Sequence, residues 1–270
     1  MENDRSDLNR MGGFPFDEVR PLRRDGVVEV LEGTCQAGRR VAVKRLVSKR
    51  AEQDPIARQR FQREMLIAKV AVHPGIVTCV QAEEDWIAFE WLSAGLDEPA
   101  VQQRFLSAAA IRSLLRQLAE TLAYLHGRGI THADIKPAHV RFRGDEPVLI
   151  DFGIAATGEQ DPIVGQELAG SPRWMAPEVL AGAPPEPASD VWSLCAVAAW
   201  LANGCPANLV DADTILEMRR EYTMLPEHGV DTLNSKDRGL HAILTAGLGP
   251  QVARPSAANL AYLISRSTAG

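Results

Sequence analysis

The feature that most constrains the fold of this 270-residue chain is the segment 132–140, HADIKPAHV, together with DFG at 151–153. Between them, two apolar stretches at 140–142 and 148–150 flank Gly144-Asp145, a pattern that predicts a short hairpin. This hairpin sets one carboxylate, Asp134, on the loop before it and another, Asp151, directly after it. Such a pair suits in-line phosphoryl transfer, in which one acid orients a hydroxyl and another holds a metal on a nucleotide.

Composition excludes several other classes of protein. With 35 acidic against 29 basic residues, the chain is not expected to bind nucleic acid. Its longest apolar run, 194–202, is too short to span a membrane, and the polar N-terminus does not resemble a signal peptide. The four cysteines have neither metal-ligand nor disulfide-framework spacing, which predicts reduced thiols in a cytoplasmic protein with no membrane association.

The hydrophobic pattern predicts a strand-rich beginning and a helical remainder after a polar tail. The predicted strands are 27–31, 41–44, 76–80 and 86–91, the first two forming a hairpin around 36–40. The predicted helices run from Asp54-Pro55 to a break at 73–75, from Ser107 to Gly127, and through the chain after Asp190.

The two loops resemble the catalytic loop H-R-D-L-x-x-x-N and the metal loop D-F-G of protein kinases. Other segments are similar to further motifs of that family: VAVK at 41–44, HPGIV at 73–77, GSPRWMAPE at 170–178 and DVWSL at 190–194. The resemblance covers about Val19 to Ile264. It implies an α+β, bilobal protein-kinase-like fold, with a tail at 1–18, a strand-rich N-lobe at about 19–91 and a mainly helical C-lobe at about 93–266.

The resemblance implies ATP-dependent phosphorylation of Ser or Thr hydroxyls on a protein substrate. Asp134 would orient the hydroxyl, and Lys136 would neutralise the moving phosphate, as in Ser/Thr rather than Tyr kinases. Asp151 and His139 would hold Mg²⁺ or Mn²⁺. Ser171 would meet the catalytic Asp and dock the substrate.

For ATP, the resemblance implies a Lys44–Glu64 ion pair that positions the phosphates. The remaining nucleotide-binding candidates are the glycine-loop and adenine-pocket positions Gly26, Val28, Ala42, Phe89, Glu90 and Leu92. Glu178 and Arg254 would form a pair that braces the large lobe and takes no part in catalysis.

The glycine-rich loop departs from the family pattern G-x-G-x-x-G-x-V. Only Gly26-Val27-Val28 survives, and Pro21 and Arg23 occupy the first two glycine positions. Because Pro has no N–H to offer a phosphate, we expect an ATP site with a poor lid.

The catalytic loop departs at two positions. His139 replaces an Asn, so it presents nitrogen to a metal, which Mg²⁺ takes poorly and Mn²⁺ tolerates better. Ala133 replaces the Arg that reads an activation-loop phosphate in many kinases. With Thr157 and Ser171 among the few hydroxyls at 151–178, the chain is predicted to be of the non-RD type and independent of activation-loop phosphorylation.

Two alternatives remain open. Pro21, Arg23 and His139 favour a pseudokinase that binds nucleotide or a partner without transfer. A small-molecule kinase is the weaker alternative, since such enzymes generally lack an Ala-Pro-Glu segment like 176–178. We expect a monomer or weak dimer.

Overall fold

The computed structural model describes residues 15–47, 53–92, 94–158, 169–202 and 237–267. Within them the chain forms two compact units. The first contains the residues up to Phe61 and Thr78–Trp91, and the second contains Gln62–Val77 and the chain from Leu92 onward.

The first unit is built on a five-stranded antiparallel sheet in the order β1-β2-β3-β5-β4. Its strands are β1 (Phe16–Asp25), β2 (Val28–Cys35), β3 (Arg40–Leu46), β4 (Cys79–Glu83) and β5 (Trp86–Glu90). The predicted β2–β3 hairpin is confirmed, with Leu31 opposite Val43. Alternate apolar side chains of these strands form the core, namely Phe16, Leu31, Val41, Val43, Trp86 and Ala88.

The predicted tail at 1–18 is too long, because β1 begins at Phe16, which pairs with Cys35. Residues 1–14 lie outside the described part of the chain. Strand β1 was not predicted from the sequence because residues 16–25 are rich in charged side chains and include Pro21. That proline is tolerated because β1 is an edge strand of the sheet, where one side of the backbone needs no ladder partner.

Helix α1 (Pro55–Val70) confirms the helix predicted after Asp54, whose Oδ1 accepts a hydrogen bond from the Ala57 amide at 2.9 Å. The strand predicted at 76–80 is wrong in its position, since β4 starts only at Cys79. Residues 62–77, which precede the end of the predicted N-lobe, group with the second unit. The reason is a backbone bridge, in which the Val77 amide donates to the Leu149 carbonyl at 3.0 Å.

The second unit is mainly helical. Its helices are α2 (Pro99–Gln102), α3 (Ala108–His126), α4 (Pro177–Leu180), α5 (Pro187–Ala202), α6 (Arg238–Gly247) and α7 (Ala257–Ser267). Ser107 caps α3 as predicted, and the apolar stripe of α3 is buried where α3 packs on α5 and α7. None of the described helices combines the length and apolar character needed to span a bilayer.

Two small sheets frame the loops of this unit. Strand β8 (Val140–Arg143) pairs with β6 (Ala94–Gly95) and with β9 (Glu146–Leu149), which confirms the predicted hairpin. Strand β7 (Ile130–Thr131) pairs with β10 (Ala156–Thr157). The segment 132–139 therefore leaves β7 and enters β8, while 150–155 leaves β9 and enters β10, so both loops run between the same small sheets.

Candidate active site

The loop after β7 is anchored by Asp190 of α5, whose side chain is 1% exposed. Its Oδ2 accepts hydrogen bonds from the His132 amide at 2.8 Å and from His126 Nε2 at 2.9 Å, while Oδ1 accepts from the Ala133 amide at 2.9 Å. Ala133 has a left-handed φ of 66°, a conformation that costs an L-residue energy. The buried carboxylate holds the backbone in that conformation through two consecutive amides.

Asp134, Lys136 and Ser171 come together as the sequence predicts. Lys136 Nζ lies 2.7 Å from Asp134 Oδ2 and 2.7 Å from Ser171 Oγ. The Ser171 amide donates to Asp134 Oδ1 at 3.0 Å. Both oxygens of the carboxylate are thus oriented by direct hydrogen bonds, and the lysine amine faces the carboxylate and a hydroxyl at once.

Gly170 permits this approach, a role that was not predicted from the sequence. Its φ is 112°, and a Cβ there would lie 2.8 Å from Met175 Cε and 3.3 Å from Asp134 Oδ1. Only glycine adopts this backbone without strain or crowding. A glycine directly before a hydroxyl residue was the sequence signal for this close contact.

His139 lies between the two carboxylates that the sequence singled out. Its Nδ1 lies 2.9 Å from the Asp134 carbonyl oxygen, and its Nε2 lies 3.5 Å from Asp151 Oδ2. Burial lowers the pKa of His139 to about 4, although the nearby Asp151 and Asp134 carboxylates act to raise it. The ring is therefore neutral at pH 7.

Asp151 has a left-handed φ of 67°, and the following Phe152 is fully buried against His132, with ring centroids 4.9 Å apart. The Asp151 side chain remains 36% exposed. Phe152 is thus buried while the adjacent Asp151 carboxylate is partly exposed. A carboxylate that is to hold a metal must be accessible in this way.

The side chains present fit a divalent cation that is shared with a nucleotide. The described residues contain no group of three or more potential metal ligands. Asp151 and His139 form a smaller set, and Mg²⁺ in nucleotide sites is held by one or two carboxylates together with phosphates and water. The one unusual donor is the imidazole nitrogen.

Arg63 makes a contact that the sequence analysis missed. From α1 it donates through Nη1 to the Ala155 carbonyl at 3.0 Å, just before β10. Its neighbour Glu64, the predicted partner of Lys44, is 2% exposed. The helix that carries Glu64 is thus tied directly to the segment that follows Asp151, through a bond 92 residues apart in sequence.

Apart from Gly26 in the β1–β2 turn, the predicted nucleotide residues of the first unit lie on three strands, with Val28 at the start of β2. Lys44 and Ala42 are in β3, where Ala42 pairs with Phe89 of β5, and Glu90 ends β5. Leu92 follows in the second unit. The Lys44–Glu64 ion pair stays a prediction.

The β1–β2 connection is a tight hairpin. Asp25 pairs with Val28, so Gly26-Val27 is a two-residue turn, and Gly26 has a φ of 54°. Pro21 and Arg23 lie inside β1, opposite Leu31 and Val30 respectively. The residues at the first two glycine positions therefore belong to a strand.

The predicted brace between Glu178 and Arg254 is confirmed. Arg254 donates to both carboxylate oxygens of Glu178, with Nη2 at 2.8 Å from Oε2, and its Nε donates to the Gly249 carbonyl at 2.7 Å. Its side chain is 2% exposed. A buried bidentate pair of this kind fixes geometry, which agrees with a structural role.

Comparison with known proteins agrees with this geometry. The protein kinase domain family matches residues 26–240. The chain is 31% identical over 194 residues to the serine/threonine-protein kinase PAK mbt of Drosophila melanogaster, covering 70% of this chain and 30% of that protein. It is 33% identical over 228 residues to the serine/threonine-protein kinase AfsK of Streptomyces coelicolor, covering 80% of this chain and 28% of that one.

A third relative, the serine/threonine-protein kinase pkn2 of Myxococcus xanthus, is 33% identical over 192 residues, which cover 66% of this chain and 23% of that protein. The matches thus span less than a third of each of these relatives. The strand-rich first unit and the helical second unit confirm the predicted bilobal kinase fold. With the family match covering most of its length, the chain belongs to the protein kinase superfamily.

Proposed function

We propose that the chain transfers the γ-phosphate of ATP to Ser or Thr hydroxyls of a protein substrate. The observation that carries the proposal is the contact of Lys136 Nζ with both Asp134 and Ser171, at 2.7 Å each. It supplies a carboxylate for the hydroxyl and a fixed positive charge for the phosphate at one place. The relatives named above are serine/threonine kinases, which favours the same acceptor class.

In the proposed reaction the substrate hydroxyl oxygen attacks the γ-phosphorus, the bond to the bridging oxygen of ADP breaks, and the hydroxyl proton passes to Asp134. Asp134 is held for this by the Ser171 amide and by Lys136. Lys136 offsets the negative charge on the phosphate in transfer.

Asp151 and His139 are the side chains that would hold Mg²⁺ or Mn²⁺ here. Such an ion, when bound, neutralises charge on the β- and γ-phosphates. The protein's own contribution is to fix both ligands: the His139 amide donates to the Lys136 carbonyl at 3.0 Å, and the Ile150 amide donates to the His139 carbonyl at 3.1 Å.

Lys44, with Glu64 as its partner, is proposed to position the phosphates of ATP. The remaining nucleotide contacts are assigned to Gly26, Val28, Ala42, Phe89, Glu90 and Leu92. Support for the strand residues comes from their placement, since β3 carries Ala42 and Lys44, and the neighbouring β5 carries Phe89 opposite Ala42 and then Glu90.

We further propose that activity does not depend on activation-loop phosphorylation. Ala133 leaves no guanidinium beside Asp134, and Arg63 already ties α1 to the Ala155 carbonyl without a phosphate. Phosphatase treatment of the purified protein is expected to leave its activity unchanged. A large loss of activity after that treatment would contradict this part of the proposal.

The experiment is transfer of γ-labelled phosphate from ATP to the protein itself and to a generic protein substrate, in Mg²⁺ and separately in Mn²⁺. Asp134→Asn is expected to lower kcat by roughly 10²- to 10⁴-fold. Asp145→Asn is the matched control, since that carboxylate is 98% exposed on the turn between β8 and β9, and it should leave transfer unchanged.

A second candidate is a pseudokinase that holds nucleotide or a partner without transfer. The observation that favours it is the placement of Pro21 and Arg23 in a paired strand, where a phosphate-binding loop was expected. Nucleotide binding without phosphate transfer in either metal would establish this candidate and refute the kinase.

A further inference from the structure

We infer that His139 makes the metal site of this chain selective for Mn²⁺ over Mg²⁺, by supplying its imidazole Nε2 as a ligand beside Asp151. The inference rests on the proposed function in one respect, that a divalent cation binds here together with a nucleotide. It goes further by assigning the identity of the ion.

The hydrogen bonds of His139 fix its tautomer. The atom 2.9 Å from Nδ1 is the carbonyl oxygen of Asp134, which can only accept a hydrogen bond. Nδ1 therefore carries the proton, and in the neutral ring Nε2 keeps its lone pair. The lone pair is thus on the nitrogen next to Asp151.

Nε2 faces the Asp151 carboxylate at a distance that suits one shared ion. Its polar neighbour at 3.5 Å is Asp151 Oδ2, a carboxylate oxygen that is also an acceptor. Two ligand atoms bound to one ion at about 2.1 Å each, at an angle of 90° to 110°, lie about 3.0 to 3.4 Å apart, close to the separation seen here.

The ring is held in place and cannot easily turn away. His139 ends the short turn Pro137–His139, and its backbone amide and carbonyl are both hydrogen bonded. Only 7% of the residue is exposed. Because the His139 ring is already fixed, little side-chain entropy is lost when the ion binds. The selectivity for the ion then depends on the type of ligand atom.

The imidazole nitrogen and the carboxylate oxygen together favour Mn²⁺ over Mg²⁺. Mg²⁺ is a hard ion that prefers oxygen ligands, so exchanging an oxygen for an imidazole nitrogen weakens its binding. First-row transition ions accept that nitrogen, and among them Mn²⁺ shares with Mg²⁺ the octahedral, oxygen-rich coordination that phosphates and a carboxylate provide. One nitrogen in an otherwise oxygen-based site therefore shifts the preference toward Mn²⁺.

The test is Mn²⁺ binding by the full chain in the presence of a non-hydrolysable ATP analogue. EPR of free Mn²⁺ gives the affinity, and competition with Mg²⁺ gives the ratio of the two dissociation constants. His139→Asn restores an oxygen donor and is expected to lower the preference for Mn²⁺ by about tenfold or more. His241→Asn, on α6 where no site residue lies, is the matched control and should leave the ratio unchanged.

A second measurement needs no variant. Pulsed EPR of the wild-type complex should show a ¹⁴N coupling from a directly bound imidazole, and Asp151→Asn should weaken the binding of both metals. A Mn²⁺ complex without that coupling, or an unchanged metal ratio in His139→Asn, would overturn the inference. Phosphate transfer with Mg²⁺ alone would still leave the kinase proposal intact, whereas nitrogen-bound Mn²⁺ without transfer would refute the kinase and keep the inference.

Discussion

The catalytic loop and the β1–β2 hairpin each depart from the family motif at two positions, yet the two regions respond differently. In the loop, Ala133 and His139 occupy altered positions, but the backbone follows a hydrogen-bonded path through Asp190 and the Asp134 carbonyl. In the hairpin, Pro21 and Arg23 lie in a paired strand whose register shifts between them. A loop whose backbone is held by a buried acceptor keeps its conformation when its side chains change. A loop that binds phosphate through the backbone of its glycines loses that conformation when the glycines are replaced.

The reason lies in which atoms carry the function. Phosphate-binding glycine loops use backbone N–H groups, which require close approach and unusual φ values, so Pro and Arg remove the property itself. The catalytic loop uses side chains that a separate residue, Asp190, sets in position. Its geometry is therefore independent of the residue at 133, whose contribution to the anchor is only an amide.

The largest effect is expected from removing the anchor of the loop. Asp190→Ala leaves two buried amides and His126 without their acceptor, and should lower the free energy of unfolding by roughly 3 to 5 kcal/mol. Urea unfolding of wild type and variant measures this difference. Asp145→Ala, at an exposed carboxylate, should change stability little. If Asp190→Ala were as stable as wild type, the loop would not depend on this side chain.

The next prediction compares two glycines with positive φ, Gly170 beside the catalytic loop and Gly26 in the hairpin. Gly170→Ala places a methyl group 2.8 Å from Met175 Cε and 3.3 Å from Asp134 Oδ1, so it should displace Ser171 and lower kcat by about tenfold to a hundredfold. Gly26→Ala meets no atom within 4 Å and should cost only about 1 kcal/mol of stability from its φ. Steady-state kinetics and thermal unfolding of both variants separate the two outcomes, and equal kcat values would contradict the comparison.

The same contrast explains how much could be predicted from the sequence. The placement of Asp134, Lys136 and Ser171, and the brace between Glu178 and Arg254, followed from motifs because each motif fixes its side chains locally. Strand β1 was missed because six of its ten residues are charged, three acidic and three basic, and because its apolar residues show no clean alternation around Pro21. The Arg63 contact with Ala155 was also missed, because Arg63 binds a backbone carbonyl. Every residue type has such a carbonyl, so the residue at position 155 gives no sequence signal for the contact.

A smaller effect is expected from restoring glycine in the hairpin. Because Pro21 and Arg23 are in a paired strand, the double variant Pro21→Gly, Arg23→Gly weakens β1 without creating a phosphate-binding loop. We expect a loss of about 1 to 2 kcal/mol in stability and a change of less than about threefold in KM for ATP. A large fall in KM would show that the two side chains alone had suppressed a working loop.

The smallest perturbation compares one cysteine from each unit. The pKa of Cys35 is lowered, chiefly by a hydrogen bond with the backbone of Arg39. Burial opposes this effect, and weaker interactions with the Ala37 backbone and the Arg39 side chain add to the lowering. Burial in α5 raises the pKa of Cys195 to about 12. At pH 8 iodoacetamide should therefore label Cys35 at least about tenfold faster than Cys195, because only the thiolate reacts. Peptide mass spectrometry measures both labelling rates, with Cys35→Ser as the control. Rapid labelling of native Cys195 would show that α5 opens under native conditions. The Asp190 anchor on the same helix would then be less rigid than its buried hydrogen bonds indicate.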